Sequence, residues 1–264
     1  MTKTYIAIGL MSGTSMDGID IAGLETDGET FLNPGPAGAL IYSDEERAYL
    51  RKAVEAAAAW KAGEPVPDAV AAAEKKLTAA HAEAVAAFLK ENDLNAAEID
   101  VIGFHGQTVL HAPDERRTVQ IGQGDQLAAT LGIDVVNDFR SADVAAGGEG
   151  APFAPLYHKA LAANLEGPRP IAVLNLGGVA NVTWLGEGPD DILAFDTGPA
   201  SGALDDWVLS HGAGRMDVDG LLAKAGKVDE AILTKMLTNP FFDVTPPKSL
   251  DRLDFPMDPV AGLS

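Results

Sequence analysis

The stretch IGLMSGTSMDGID, residues 8–20, decides the fold, because a polar, glycine-bearing segment interrupts an apolar run there. Two glycines, two hydroxyl side chains and two carboxylates lie between two strand-like segments: Gly13, Gly18, Thr14, Ser15, Asp17 and Asp20. Such residues are ordinary in a hairpin turn. They also suit a phosphate-binding turn, in which backbone N–H groups and hydroxyls face an anion and a carboxylate serves a metal ion. The residues alone leave both interpretations open.

The segments around this stretch predict an α/β protein. Residues 5–11 and 19–24 are strand-like and predict a hairpin. Residues 44–60, acidic at their start, predict a helix. The apolar spacing from Val70 to Phe88 predicts an amphipathic second helix, with His81 as a packed, hydrogen-bonded core histidine. Short buried strands are predicted at 101–104, 118–122 and 133–139, with a short helix at 123–132.

The second half of the chain repeats this architecture. Residues 171–186, IAVLNLGGVANVTWLG, predict another hairpin, with Gly177 and Gly178 in its turn. Residues 192–212 predict a strand that breaks at 196–199 and opens into a helix. We therefore expect two related lobes, 1–135 and 136–264, with a hairpin from each facing a cleft. The last stretch, DFPMDPVAGLS, has no closing element, so we expect the second lobe to be incomplete.

The composition excludes several classes of protein. The chain has 264 residues, 47% hydrophobic and 22% charged, which is typical of a globular protein. Its formal net charge of −20 opposes binding to nucleic acid or to an anionic membrane. The absence of cysteine excludes disulfides and thiolate chemistry. Neither a signal-peptide pattern nor a long apolar run is present, which predicts a cytoplasmic protein.

Segments distributed along nearly the whole chain resemble one known family. They are IGLMSGTSMDGID (8–20), GFHGQTVLH (103–111), VNDFRSADVAAGGEGAP (136–152), LNLGGVANVT (174–183) and FDTGPAS (195–201). In this order they resemble the anhydro-N-acetylmuramic acid kinases, of the superfamily of sugar kinases and actin. The resemblance implies an actin-like, ribonuclease H-like fold, with two related lobes whose mixed sheets are flanked by helices.

The resemblance also implies an activity. Such a kinase uses ATP, Mg²⁺ and water to open 1,6-anhydro-N-acetylmuramic acid, and it phosphorylates O6 to give N-acetylmuramic acid 6-phosphate. This reaction belongs to peptidoglycan recycling and amino sugar metabolism in the cytoplasm. The implied partners are therefore small molecules, with no nucleic acid and no membrane, and a homodimer is expected from the family.

By the same resemblance, the first hairpin holds the terminal phosphates of ATP and the second closes on the nucleotide. Asp17 or Asp20 would bind Mg²⁺ through water. The implied nucleotide-binding residues are Gly13, Thr14, Ser15, Met16, Asp17, Gly18, Ile19, Asp20, Gly177 and Gly178.

Further residues have a functional and a structural interpretation. Asp196 is expected to be the general base that activates the attacking water; alternatively it caps a helix. His105 and Gln107 follow a predicted strand, where ligand contacts are common, but they also suit loop packing. Arg140 is expected to bind the substrate's lactyl carboxylate, or else to pair with Asp143.

The chain departs from the family pattern in three respects. Ser201 stands where the family usually has asparagine, and Glu149 where it usually has glutamine. The family also continues well beyond the length of this chain, into a segment that lines the adenosine pocket. These departures leave a second hypothesis, a truncated, non-catalytic relative that binds nucleotide or sugar weakly.

Overall fold

The computed structural model describes residues 3–30, 32–163, 165–188, 190–250 and 255. Two compact units are present, the first ending at Phe153 and the second beginning at Ala154. The predicted division into lobes at 135 and 136 stays a prediction. A six-stranded mixed sheet and a three-stranded antiparallel sheet are accompanied by helices, which confirms the predicted α/β class. The predicted open end, 254–264, lies outside the described residues apart from Phe255.

The described residues of the first unit form six strands and four helices. The strands are β1 (Tyr5–Ser12), β2 (Gly18–Thr26), β3 (Leu32–Ile41), β4 (Val101–Ala112), β5 (Arg117–Ile121) and β6 (Val135–Asn137). The helices are α1 (Asp44–Ala58), α2 (Asp68–Glu91), α3 (Gly124–Leu131) and α4 (Ser141–Ala146). Short 3₁₀ turns lie at Ala96–Glu98 and Pro113–Glu115.

The sheet of the first unit has the order β3-β2-β1-β4-β5, and β6 also pairs with β4. Strands β1 and β2 are antiparallel, which confirms the predicted hairpin. Strand β4 is parallel to β1 and to β6, so the turn after β1 lies near the middle of β4. A strand is confirmed within the predicted 133–139, but β6 has only three residues, and its predicted burial is wrong because Val136 is 53% exposed.

The core of the first unit lies between the sheet and the two long helices. It includes Ile8 and Leu10 of β1 and Leu77 and Val85 of α2, all nearly inaccessible. Helix α1 begins with a capping box, in which Ser43 and Glu46 each accept a backbone N–H of the other. The predicted helices at 44–60 and 70–88 are confirmed.

His81 lies at the centre of this core, as predicted. Its Nδ1 is 2.8 Å from the carbonyl oxygen of Leu77, and its ring packs on Phe104 at 4.9 Å between centroids. Burial lowers the pKa of His81 to about 4, so the ring is neutral at pH 7. The neutral ring explains how an imidazole fits an apolar core.

The second unit is built on a smaller sheet, in the order β7-β8-β9. Its strands are β7 (Ile171–Leu176), β8 (Val179–Leu185) and β9 (Ile192–Pro199). Its helices are α5 (Ala154–Ala163), α6 (Ser201–Ser210), α7 (Leu221–Ala225) and α8 (Glu230–Leu237), with 3₁₀ turns at Val218–Gly220 and Pro240–Asp243. The predicted second hairpin is confirmed.

Strand β9 corrects one prediction. The strand was expected to break at 196–199, but it remains paired with β8 as far as Pro199, opposite Val179. A register shift between Ala180 and Asn181 accommodates the irregular segment around Gly198.

None of the helices within the described ranges combines the length and apolar character needed to cross a bilayer.

Candidate active site

The turn between β1 and β2 is closed by its own backbone. The N–H of Met16 donates to the carbonyl of Gly13 at 3.1 Å, and Met16 adopts a left-handed conformation with φ of 54°. The hydroxyl of Ser15 donates to Oδ1 of Asp17 at 2.8 Å. The side chains of Thr14, Ser15 and Asp17 are exposed, so the turn presents hydroxyl and carboxylate groups to solvent.

A buried polar network lies directly beneath this turn. Ser12 donates to Oε1 of Gln107 at 2.6 Å, and Nε2 of Gln107 donates to the carbonyl of Gly13 at 3.1 Å. The Tyr42 hydroxyl is 2.8 Å from the Ser12 hydroxyl. Gln107 is completely buried, so its amide supports the turn rather than facing solvent. Its role in binding substrate stays a prediction.

The last residues of the stretch belong to strand β2. Ile19 is completely buried in the core, so only its backbone is available to a ligand. Asp20 is exposed and pairs with Met11 on one side and Ala39 on the other. A Cβ atom on Gly18 would lie 2.2 Å from the carbonyl oxygen of Leu40 in β3. Close strand pairing therefore explains glycine at position 18 without a ligand.

This geometry predicts that Gly18→Ala lowers the stability of the first unit. Strands β2 and β3 would have to separate locally to admit the methyl group, and overpacking of this kind costs about 1–3 kcal/mol. Urea unfolding measures the loss. Gly9→Ala is the matched control, because a Cβ there meets nothing closer than 3.9 Å. Equal stability of the two variants would contradict the steric explanation.

A β-bulge in β4 directs His105 and Gln107 to different surroundings. Between Leu10↔Phe104 and Ser12↔Gln107, β4 contains one residue more than β1. The extra residue reverses the alternation, so burial passes from even positions such as Phe104 to odd positions such as Gln107. Gly106 has φ of 68° in this bulge. Gln107 consequently turns beneath the turn after β1, while His105 is only half-buried.

His105 and Arg140 are in direct contact. Nε of Arg140 donates to Nε2 of His105 at 3.1 Å, and Nδ1 of His105 lies 2.8 Å from the carbonyl oxygen of Gly106. Since Nε2 accepts, the proton of the neutral ring is on Nδ1. Burial lowers the pKa of His105, and the positive charge of Arg140 lowers it further, against the hydrogen bond to Gly106. His105 is therefore an oriented acceptor for Arg140.

Arg140 and Asp143 hold the same loop residue instead of each other. Nη1 of Arg140 donates to the carbonyl of Gly150, and the N–H of Gly150 donates to Asp143 at 2.7 Å. No ion pair joins the two side chains, both of which are described. The guanidinium also packs over the ring of Phe153 at 5.0 Å. The alternative in which Arg140 simply pairs with Asp143 is wrong.

In the second unit, the glycine turn is fixed to the start of α6. The N–H groups of Ser201 and Gly202 donate to the carbonyls of Gly177 and Gly178, at 3.0 and 3.1 Å. The Ser201 hydroxyl donates to Gly177 as well, at 2.7 Å. Neither glycine has a positive φ, and a Cβ on Gly178 would meet nothing within 4 Å. Among the described residues, none occupies the space next to the backbone of Gly178.

Asp196 lies within β9 and is oriented by the segment that follows α8. Its Oδ2 accepts the N–H of Leu250 at 2.8 Å, and its own N–H donates to the carbonyl of Lys248 at 2.9 Å. The alternative in which Asp196 caps a helix is wrong, because α6 begins only at Ser201. Oδ1 has no hydrogen-bond partner among the described residues. Within the part of the chain that the structure describes, one carboxylate oxygen is therefore held and the other has no partner.

The carboxylates predicted to serve a metal ion are suitably exposed. Asp17 in the turn and Asp20 in β2 offer hard oxygen donors, which are the ligand type that Mg²⁺ prefers. The described ranges contain no cluster of three or more His, Asp or Glu side chains arranged as a metal site. The exposed carboxylates fit an ion that keeps most of its water ligands, as Mg²⁺ usually does.

Sequence reasoning did not identify Ser12 and Tyr42. A usable signal was present for Ser12, because it continues the buried alternation of Ile8 and Leu10 and is a polar residue at a buried position. Such a residue needs a partner. Tyr42 gave no comparable signal, since its partners lie across the turn and are set by the pairing of β3, a strand that was not predicted.

Comparison with known proteins finds relatives of one family. A family model described as anhydro-N-acetylmuramic acid kinase matches residues 5–259. A protein of that name from Rhizorhabdus wittichii is 53% identical over 264 residues, covering 100% of this chain and 71% of its own length. Another from Paramagnetospirillum magneticum is 53% identical over 250 residues, covering 95% of this chain and 67% of its own length.

A third relative, from Methylobacterium nodulans, is 51% identical and covers 98% of this chain and 71% of its own length. Among solved structures, an exopolyphosphatase-like protein has a TM-score of 0.37 at 14% identity, over 77% of this chain and 53% of its own. Similarity at that level identifies neither fold nor function.

The sequence matches place this chain among the kinases, which transfer phosphoryl groups. More narrowly, it belongs to the anhydro-N-acetylmuramic acid kinase family.

Proposed function

We propose that this chain is an ATP-dependent kinase that opens 1,6-anhydro-N-acetylmuramic acid with water and phosphorylates O6. The product is N-acetylmuramic acid 6-phosphate, and the proposed setting is the recycling of peptidoglycan fragments and amino sugar metabolism in the cytoplasm. The structural observation that supports it best is the turn after β1, whose exposed Thr14, Ser15 and Asp17 rest on a buried hydrogen-bond network.

The turn is suited to binding the terminal phosphates. A supported turn holds its backbone in one conformation, so only hydroxyl rotation, such as that of Ser15 away from Asp17, is needed for donation to an anion. Preorganisation of this kind is the main source of catalysis in phosphoryl transfer. The proposed phosphate-binding segment is 13–20, with Ile19 contributing only its backbone. Asp17 and Asp20 would hold hydrated Mg²⁺, which supplies neutralisation of phosphate charge when bound.

Asp196 is the proposed general base. Its carboxylate takes a proton from the water that attacks the anomeric carbon, and the bond between that carbon and the bridging oxygen breaks. The bridging oxygen becomes O6 and attacks the γ-phosphorus of ATP, which releases ADP. The hydrogen bond from Leu250 to Oδ2 orients the carboxylate and leaves Oδ1 for the water.

Arg140 and His105 are proposed to bind the sugar. Arg140 carries a positive charge without an ion-pair partner among the described residues, and it is held by His105 and Gly150. A cation fixed by neutral acceptors suits an anionic group such as the lactyl carboxylate. Glu149, exposed one residue before Gly150, adds a negative charge near that site and is expected to weaken it.

Gly177 and Gly178, in the turn between β7 and β8, are proposed to bind the nucleotide. The open space beside Gly178 supports this role, because neither steric crowding nor a positive φ explains glycine there. Ser201, where the family usually has asparagine, uses its hydroxyl to hold Gly177. It therefore contributes to the position of the hairpin.

The second candidate is a non-catalytic relative that binds nucleotide or sugar weakly. It is favoured by Glu149, an exposed carboxylate one residue before Gly150 that adds negative charge beside the proposed binding site for the sugar's carboxylate. We further propose that the partners are small molecules only, with neither nucleic acid nor a membrane, and that the enzyme forms homodimers.

One assay separates the two candidates. The chain is incubated with Mg²⁺, ATP and 1,6-anhydro-N-acetylmuramic acid in ¹⁸O-labelled water, and products are analysed by mass spectrometry. We expect a phosphorylated sugar carrying the label at its anomeric oxygen, because water adds there.

The Rhizorhabdus wittichii relative serves as the reference in the same assay. Labelled product from the relative with none from this chain would support the non-catalytic candidate. A phosphorylated product without the label would contradict ring opening by water.

A further inference from the structure

Tyr42 contacts both ends of the turn after β1. This residue lies between β3 and α1, far from the turn in sequence. Its backbone N–H donates to the carbonyl of Asp17 at 2.9 Å, at the end of the turn. Its side-chain hydroxyl lies 2.8 Å from the hydroxyl of Ser12, at the start. One residue thus fixes both points at which the turn joins the sheet.

The direction of the hydrogen bonds follows from the available protons. Ser12 has one hydroxyl proton and donates it to Oε1 of Gln107, so Tyr42 must donate to Ser12. Nε2 of Gln107 then donates to the carbonyl of Gly13. All the hydrogen bonds therefore point in the same direction: Tyr42 donates to Ser12, Ser12 to Gln107, and Gln107 to the carbonyl of Gly13. In such an arrangement each hydrogen bond strengthens the next.

Burial makes this chain of hydrogen bonds sensitive to the loss of any member. Tyr42 and Ser12 are each 1% exposed and Gln107 is inaccessible, so water cannot replace a missing partner. Burial also raises the pKa of Tyr42, which keeps the phenol protonated as a donor. The turn itself contains Met16 in a left-handed backbone conformation, which residues other than glycine adopt at a cost of about 1–2 kcal/mol.

We propose that the Tyr42 hydroxyl is a positioning group for phosphate binding, acting through Ser12 and Gln107 on the carbonyl of Gly13. The inference rests on the proposed function, since it assigns a purpose to holding the turn in one conformation. A turn that is already ordered binds an anion without an additional entropic cost. Tyr42 itself touches no substrate in this account.

The test compares two tyrosines of the same region. Tyr42→Phe removes only the donated hydrogen bond, while Tyr49→Phe in α1 removes a hydroxyl that is buried without a partner among the described residues. Binding of Mg²⁺ and ATP is measured by calorimetry on the full chain. Hydrogen exchange of residues 13–17 is measured without nucleotide, so that the turn is observed independently of binding.

For Tyr42→Phe we expect about five- to tenfold weaker ATP binding, as the loss of one buried hydrogen bond implies. Exchange in the turn should be faster. Tyr49→Phe should leave both measurements unchanged. Ser12→Ala should weaken binding similarly, and the double variant Tyr42→Phe/Ser12→Ala should add little, because both residues act through one chain of bonds.

The outcomes are distinguishable. If the parent chain does not bind ATP, the proposed function fails and the inference fails with it. If the parent binds ATP and Tyr42→Phe binds equally well, the positioning role is wrong while the proposed function stands. Faster exchange in the turn at unchanged ATP affinity would give Tyr42 a structural role only, and would also overturn the inference.

Discussion

Asp196→Asn is expected to lower kcat by about 10²–10⁴-fold, the contribution that general base catalysis usually makes. Asparagine cannot take the proton from water, because its amide is not basic. Its side-chain oxygen can still accept the N–H of Leu250, which the aspartate accepts at 2.8 Å. The fold and the melting temperature should therefore be retained. Turnover is measured with saturating ATP and sugar, so that the change is read in kcat.

Asp191→Asn is the matched control for this variant. Asp191 directly precedes β9 and accepts a backbone N–H from Gly188 at 2.8 Å, so both aspartates have the same kind of hydrogen bond. Only Asp196 is assigned to the reaction, and Asp191→Asn should keep the parent's rate. Turnover of Asp196→Asn at the parent's rate would remove Asp196 from the mechanism. An equal loss in both variants would point to a general disturbance of β9.

The fold was predictable where local signals were unambiguous. Glycine turns between apolar segments predicted both hairpins, and a helical residue pattern predicted α1 and α2. Strand β3 was missed because Pro34, Gly35 and Pro36 are typical of a loop. It forms nevertheless as an edge strand, where a missing N–H on one side is tolerated. The partner strand β2, and not local propensity, determines its structure.

The residue types of the candidate site could be predicted from the sequence, but the hydrogen bonds that connect these residues could not. The exposed hydroxyls and carboxylates of the turn were identified from the sequence. The support from Gln107 and Tyr42 depends on the bulge in β4 and on the position of β3, which bring together residues 95 and 30 positions away from Ser12. Long-range pairing of this kind leaves no periodic pattern in a single sequence.

Gly106→Ala is expected to have the largest effect on stability. Gly106 has φ of 68°, and a Cβ there would lie 2.3 Å from the backbone carbonyl oxygen of Ile121. The left-handed conformation costs a residue with a side chain about 1–2 kcal/mol. Relief of the clash must separate β4 from β5, and overpacking adds about 1–3 kcal/mol. Urea unfolding should therefore show a free energy of unfolding lower by about 2–5 kcal/mol.

Gly132→Ala separates the two contributions to this loss. Gly132 ends α3 with φ of 70°, nearly the value at Gly106, but a Cβ there meets nothing within 4 Å. It should therefore lose only the conformational part, about 1–2 kcal/mol. The additional loss in Gly106→Ala then measures how firmly β5 holds the bulge that places Gln107 beneath the turn. Equal losses in the two variants would show that the bulge adjusts freely, and that Gln107 is positioned by its own hydrogen bonds.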